Sequence, residues 1–259
     1  MFENILKRYF SNLGVAVSKS FIRYTSGAIS ACSFSTHEIA RHVSKETGYD
    51  FNTSEKGLNY LLSNNNFQID DHYWRSHINM VFDLLSEQQL ITDGQKVYIQ
   101  VDFTSNEDYF LILSASVIVN NRSVPLYFTM RNYPKRKYQY DHKKMEMAFL
   151  KGLKHALSKK YSYVIVADRG FGNERFISLC QEIGFEYLIR ITPNLKISCN
   201  NQEGIMESMC NDDGIYDCEV TNWKKRMTLY KSSNEQEEWY LFSNIAGLDH
   251  KEAVVIYQI

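Results

Sequence analysis

Two aspartates stand where an apolar run stops. In "YIQVDF" Asp102 follows Tyr98, Ile99 and Val101, and in "YVIVADRGF" Asp168 closes the run from Tyr163 to Ala167. An uncompensated buried carboxylate is costly. A chain that twice ends a buried strand this way is either capping the next helix or holding the charge for a ligand. If the two strands are neighbours, their carboxylates repel and one pKa rises unless a cation lies between them. Carboxylates without His or Cys suit a hard divalent ion, Mg²⁺ or Mn²⁺, and such ions support phosphoryl transfer. The plainer alternative is two unrelated strand-end aspartates, one of them a cap.

Charge distribution bears on the choice. The chain has a net charge of −1, yet Arg131–Lys160 carries ten Lys/Arg against only Asp141 and Glu146. Within it, "YPKRKYQYDHKK" interleaves tyrosines with Lys135, Arg136, Lys137, Lys143 and Lys144. Cations bind phosphate without regard to base sequence, and aromatics stack on unpaired bases. A charge run is often only a solvated face. This one leaves a strand of the same sheet as the aspartates, which favours nucleic acid as its partner.

The elements that must position these residues follow from periodicity. Strand-like runs at Val97–Phe103, Tyr109–Val119 and Val124–Arg131 precede a helix over Asp141–Lys160. The strand ending at Asp168, a helix over Asn173–Ile183 and a strand over Phe185–Ile191 complete the set. Three meandering strands followed by alternating helices and strands predict an α/β fold, a ribonuclease-H-like mixed sheet flanked by helices. Ahead of it, residues 1–94 read as helical. Ser35 and Glu38 form a capping-box pattern, and two further short helices follow. A helix-turn-helix DNA reader would look like this; so would a plain helical subdomain. Eight Lys/Arg against ten Asp/Glu in residues 1–93 favour the plain reading.

With 44% hydrophobic and 23% charged residues among 259, the composition is that of a globular protein. It has no apolar run of about 18 residues and no leader pattern. Its five cysteines include no C-x-x-C pair, so reduced thiols, no zinc site, no membrane partner and a cytoplasmic location are expected.

"VDFTS" around Asp102 and "ADRGF" around Asp168 resemble the first two acidic motifs of DDE transposases of the insertion sequence 4 family. Gly170 and Phe171 match the small and aromatic residues that follow the second acid. The helical front with "LNYLLSN" is also similar. The resemblance implies catalytic and metal-binding roles for Asp102 and Asp168, and two Mg²⁺ ions. It implies double-stranded DNA partners, namely transposon ends and target, and a homodimer on DNA. Cleavage of the ends and joining of the freed 3′-hydroxyl to target DNA would be the activity. It divides the chain into a helical region (1–94), a catalytic core (95–192), a small β-rich insertion (193–244) and the start of a C-terminal catalytic helix (245–259). Arg169 would face DNA phosphate or a structural carboxylate. Trp223, beside Lys224, Lys225 and Arg226, would either stack on a flipped base or pack on the sheet.

One departure stands out. The family's third acid lies in a helix motif of Tyr, Arg, Glu and Lys; Tyr257 matches its tyrosine, and the remaining positions would lie past Ile259. Glu174 and Glu252 are not where the family places its glutamate. The expectation is therefore a C-terminally truncated transposase, inactive as it stands. The alternative is a non-catalytic DNA-binding remnant competing with intact copies.

Overall fold

The computed structural model describes residues 2–10, 13–33, 35–64, 69–106, 110–132, 142–233 and 237–258. The chain divides into two compact units, Met1–Glu87 and Gln88–Ile259.

The first unit is helical: α1 (Phe2–Phe10), α2 (Val15–Ala31), α3 (Thr36–Thr47), α4 (Phe51–Ser63) and α5 (Asp71–Glu87). Three helices are predicted by pattern; α1 and α2 are additional. Leu6 and Phe10 of α1 pack on Ile22 of α2, and Tyr24, Ile39, Val43, Leu58 and Leu61 form a second cluster. The capping box is not made. Ser35 is the N-cap of α3 but its side chain accepts no cap bond, and Glu38 turns to Arg41 at 3.1 Å. Asp50 caps α4 instead, accepting from the Thr53 amide at 3.0 Å.

The second unit is built on one ten-stranded sheet in the order β3-β2-β1-β4-β5-β10-β9-β8-β6-β7. Its first half is β1 (Lys96–Asn106), β2 (Phe110–Val119), β3 (Arg122–Asn132), α6 (His142–Ala156), β4 (Ser162–Ala167), a 3-10 turn (Arg169–Phe171), α7 (Glu174–Ile183) and β5 (Glu186–Arg190). β1, β2 and β3 pair antiparallel. β4 lies parallel to both β1 and β5. Strand order 3-2-1-4-5 with these directions is the ribonuclease-H-like arrangement.

The hairpin between β2 and β3 turns on Asn120 and Asn121, at φ 50° and 60°; asparagine tolerates this left-handed pair, and the resulting twist suits a two-residue hairpin. Asn200 and Asn201, at φ 52° and 64°, repeat the device between β6 (Lys196–Cys199) and β7 (Gln202–Ile205).

Residues 193–244 do not stand apart from the core sheet. After β7 and a short helix, α8 (Met206–Met209), come β8 (Gly214–Val220), β9 (Lys225–Ser233) and β10 (Glu238–Ser243), and β10 hydrogen-bonds directly to β5. The last helix, α9 (His250–Gln258), returns to the sheet, where Ala253 and Ile256 bury against Val164, Val166, Leu188, Tyr230 and Leu241. Among the described residues, no helix is long and apolar enough to cross a membrane.

Candidate active site

Register brings the two aspartates together. Val101 pairs with Ala167 across β1 and β4, so Asp102 and Asp168 are the next residues along neighbouring parallel strands. Strand alternation places them on the face that carries Tyr98, Val164, Val166 and Leu188, the face covered by α9.

The opposite face locks the two strand ends in position. Phe103, directly after Asp102, stacks on Phe171 with ring centroids 5.0 Å apart and planes 2° from parallel. Phe171, buried, also packs against Phe176 of α7 at 4.7 Å. The aromatic that follows each acid thus clamps the other's strand end.

The "DRGFG" stretch now has a physical account. Asp168 Oδ1 accepts from the Gly170 amide at 2.9 Å and caps the 3-10 turn, while Asn173 caps α7 by accepting from the Phe176 amide at 3.1 Å. Capping and ligand-holding are both open to the same carboxylate. Gly172 is needed for contact: a Cβ there would lie 2.5 Å from the carbonyl oxygen of Arg190 and 3.0 Å from Ile191 Cα. The loop that carries Asp168 therefore lies flush against the end of β5.

Asp102 is open at its surface, yet protein crowds its carboxyl enough that burial is the first cause of its raised pKa; the charge of Asp168 raises it further, against a lowering bond from the Phe103 backbone. A cation would relieve both causes. Among the described residues no three His, Cys, Asp or Glu side chains gather at one point. Two aspartates fit Mg²⁺ or Mn²⁺, since Mg²⁺ keeps several waters and is commonly held by one or two carboxylates plus substrate phosphates.

Exposed Lys143 and Lys144 begin α6, one and two residues past His142, whose ring meets Phe103 edge-on at 5.7 Å. Both lysines therefore start at the carboxylate end of the sheet. Lys154, further along the basic run, is committed elsewhere: it donates to the Gly184 carbonyl at 2.8 Å and lies 4.5 Å over the Phe185 ring. Lys135, Arg136 and Lys137 lie outside the described residues. Arg169 is exposed, and its charge helps to hold Glu237 in the ionised form. Trp223 is half-buried in the turn between β8 and β9 and meets Phe242 edge-on at 5.9 Å. Of its two readings, this contact is the packing one.

No family model matches the chain, and no curated protein matches it. Among solved structures, endonuclease V from Bacillus subtilis aligns at 7% identity and a TM-score of 0.35, over 70% of this chain and 80% of that one. Endonuclease V from Ciona intestinalis, crystallised with a DNA containing an inosine followed by a ribo-adenosine, aligns at 13% identity and 0.35, over 69% and 88%. Argonaute from Marinitoga piezophila, with guide RNA and target DNA, aligns at 14% and 0.32, over 75% of this chain and 29% of its own length. Likenesses this loose bear on neither substrate nor mechanism.

Pattern reading missed Arg190. Its side chain is 15% exposed and pairs with Glu237. The signal was present: "YLIR" ends β5 on a charge, as Asp168 follows directly on β4.

Proposed function

We propose that this chain is a metal-dependent DNA-processing protein of the DDE transposase kind, similar to the insertion sequence 4 family. Asp102 and Asp168 would hold Mg²⁺ or Mn²⁺ against a DNA phosphodiester. The observation that carries the reading is the in-register adjacency of Asp102, within β1, and Asp168, just past β4. Mg²⁺, when bound, supplies charge stabilisation to a phosphodiester undergoing displacement. The chain's own contribution is positional. Asp102 and Asp168 present oxygens from one sheet face, and the Phe103–Phe171 stack holds their strand ends at fixed separation. Lys143 and Lys144 draw the DNA backbone to that end of the sheet. Tyr257 also belongs here: it is raised chiefly by burial, and the charges of Arg190, Asp168 and Glu237 all reach it. Tyr257 of α9 is also the residue that the family resemblance assigns to its helix motif.

Calorimetric titration with Mn²⁺ tests the carboxylates. Binding by the intact chain that is lost in both Asp102→Asn and Asp168→Asn is expected; equal binding by either variant rejects the site. Incubation with a duplex carrying the ends of the chain's own element separates three outcomes. Cleavage that vanishes in Asp102→Asn supports transposition chemistry and overturns the expected inactivity. Retention without cleavage is the outcome expected of the chain as it stands, and loss of retention rejects both the transposase reading and the DNA-binding alternative.

A further inference from the structure

Register aligns a third charged residue with the aspartates. Ala167 pairs with Ile189 across β4 and β5, so Arg190 lies beside Asp168 as Asp168 lies beside Asp102, all on one face. At 15% exposure the Arg190 side chain is largely removed from water, and a guanidinium on it needs anionic or carbonyl partners. It has both. One terminal nitrogen donates to the Glu238 carbonyl at 3.3 Å, the same nitrogen pairs with the Glu237 carboxylate, and the side chain also hydrogen-bonds Tyr257. Glu237 differs from Arg190 in kind: it is 50% exposed and lies just before β10. Arg190 and Arg169 together keep it ionised.

We propose that Arg190 positions the bound nucleic-acid strand by gripping a backbone phosphate, and that Glu237 covers it in the free protein as an intramolecular stand-in for that phosphate. This rests on the reading that the Asp102–Asp168 end of the sheet meets DNA. Three features support it. A planar guanidinium matches phosphate in the same forked geometry as carboxylate. Glu237, half in solvent, can turn outward and regain its hydration, whereas Arg190 cannot. The slot also lies one strand from Asp168, so a phosphate gripped there places the adjoining part of the strand beside the carboxylates. Glu237 thereby imposes a threshold: isolated anions compete poorly with a tethered carboxylate, while a polyanion also engages Lys143, Lys144 and Arg169.

The test is fluorescence anisotropy of a short labelled DNA duplex in Ca²⁺, with the full chain and the variants Glu237→Gln, Arg190→Gln and the double variant. Removing a competitor that occupies the slot most of the time tightens binding by roughly tenfold in Glu237→Gln. Arg190→Gln weakens binding, and in its presence Glu237→Gln brings no gain. Glu237→Gln changes an exposed carboxylate to an isostere, so folding does not confound it; a thermal melt checks Arg190→Gln, and Arg190→Lys, which keeps charge but loses the fork, replaces it if the melt collapses. DNA bound by the intact chain with Glu237→Gln unchanged or weaker overturns the inference alone. Failure of all the chains to bind DNA overturns it together with the DNA reading. Loss of Mn²⁺ binding in Asp102→Asn is measured independently of either residue.

Discussion

Burial contributes more than the neighbouring charge of Asp168 to the raised pKa of Asp102, and the order of causes can be measured. A carboxyl raised in the fold favours the folded chain while protonated, below the ordinary carboxylate range; that contribution is lost as pH rises through its folded value. Metal loading has the opposite sign because it needs the carboxylate. Mn²⁺ affinity should therefore weaken on acidification, beginning at a higher pH than an unperturbed aspartate would give. In Asp168→Asn the Asp102 titration, followed by carboxyl NMR, should move down only part of the way. Full return to the ordinary value would make Asp168 the main cause. At this scale much was legible in the sequence: Asp168, Arg169 and Lys143 with Lys144 lie at element ends as their patterns suggest, whereas β1 runs on past Asp102 to Asn106. Trp223 was ambiguous because a Trp beside cations reads alike whether it stacks on a base or on Phe242. Glu237 gave no signal, since its meaning depends on Arg190, 47 residues away on the strand beside β10.

Elements are held to the sheet by a few specific devices. Glu146 on α6 is buried and takes a two-point grip from Arg175 on α7, with Arg175 Nε to Oε2 at 3.0 Å and a terminal nitrogen to Oε1 at 2.7 Å. The Arg175 side chain is 40% exposed against 4% for Glu146, so the partners are unequal. Arg175→Met removes the two-point grip on a buried carboxylate and should cost about 3 kcal/mol. Glu146→Gln leaves an arginine that can turn to water and should cost about 1 kcal/mol. Urea melts of the two variants check the order, and equal losses would refute it. The same α6 lies close on β3 because Gly152 makes room for Tyr127: a Cβ there would sit 2.2 Å from the tyrosine oxygen. Strands and helices of the core were readable from apolar period with ends shifted by a few residues. α2 was not picked out as a separate helix, because Gly14 begins it without a side-chain cap bond. The pairing of β10 with β5 was hidden for a different reason. Period marks which face of a strand is apolar, and says nothing about which strand, some 50 residues distant, will lie beside it.

At the scale of the whole molecule, the sheet of the second unit is one cooperative object and not a core with an appendage. Leu188 and Val166 bury against Leu241, Tyr230 and α9, so a core cut at residue 192 would leave that face bare and the outer edge of β5 unpaired. A fragment of residues 88–192 should therefore fail to fold, giving collapsed amide dispersion in its NMR spectrum, whereas 88–259 should retain it; a dispersed spectrum from the shorter piece would show the insertion to be separable. A ten-stranded sheet also has only two outer margins, β3 and β7, and β3 is the long one. Pro125 withholds an amide there, and the register shifts at Ala115/Ser116 where β2 meets it. Proline and bulges blunt a strand margin against accretion of further strands. The interruption that looks like a flaw in the ladder is thus a guard on the longer margin: it hinders a further strand, from this chain or another, from adding to the sheet there.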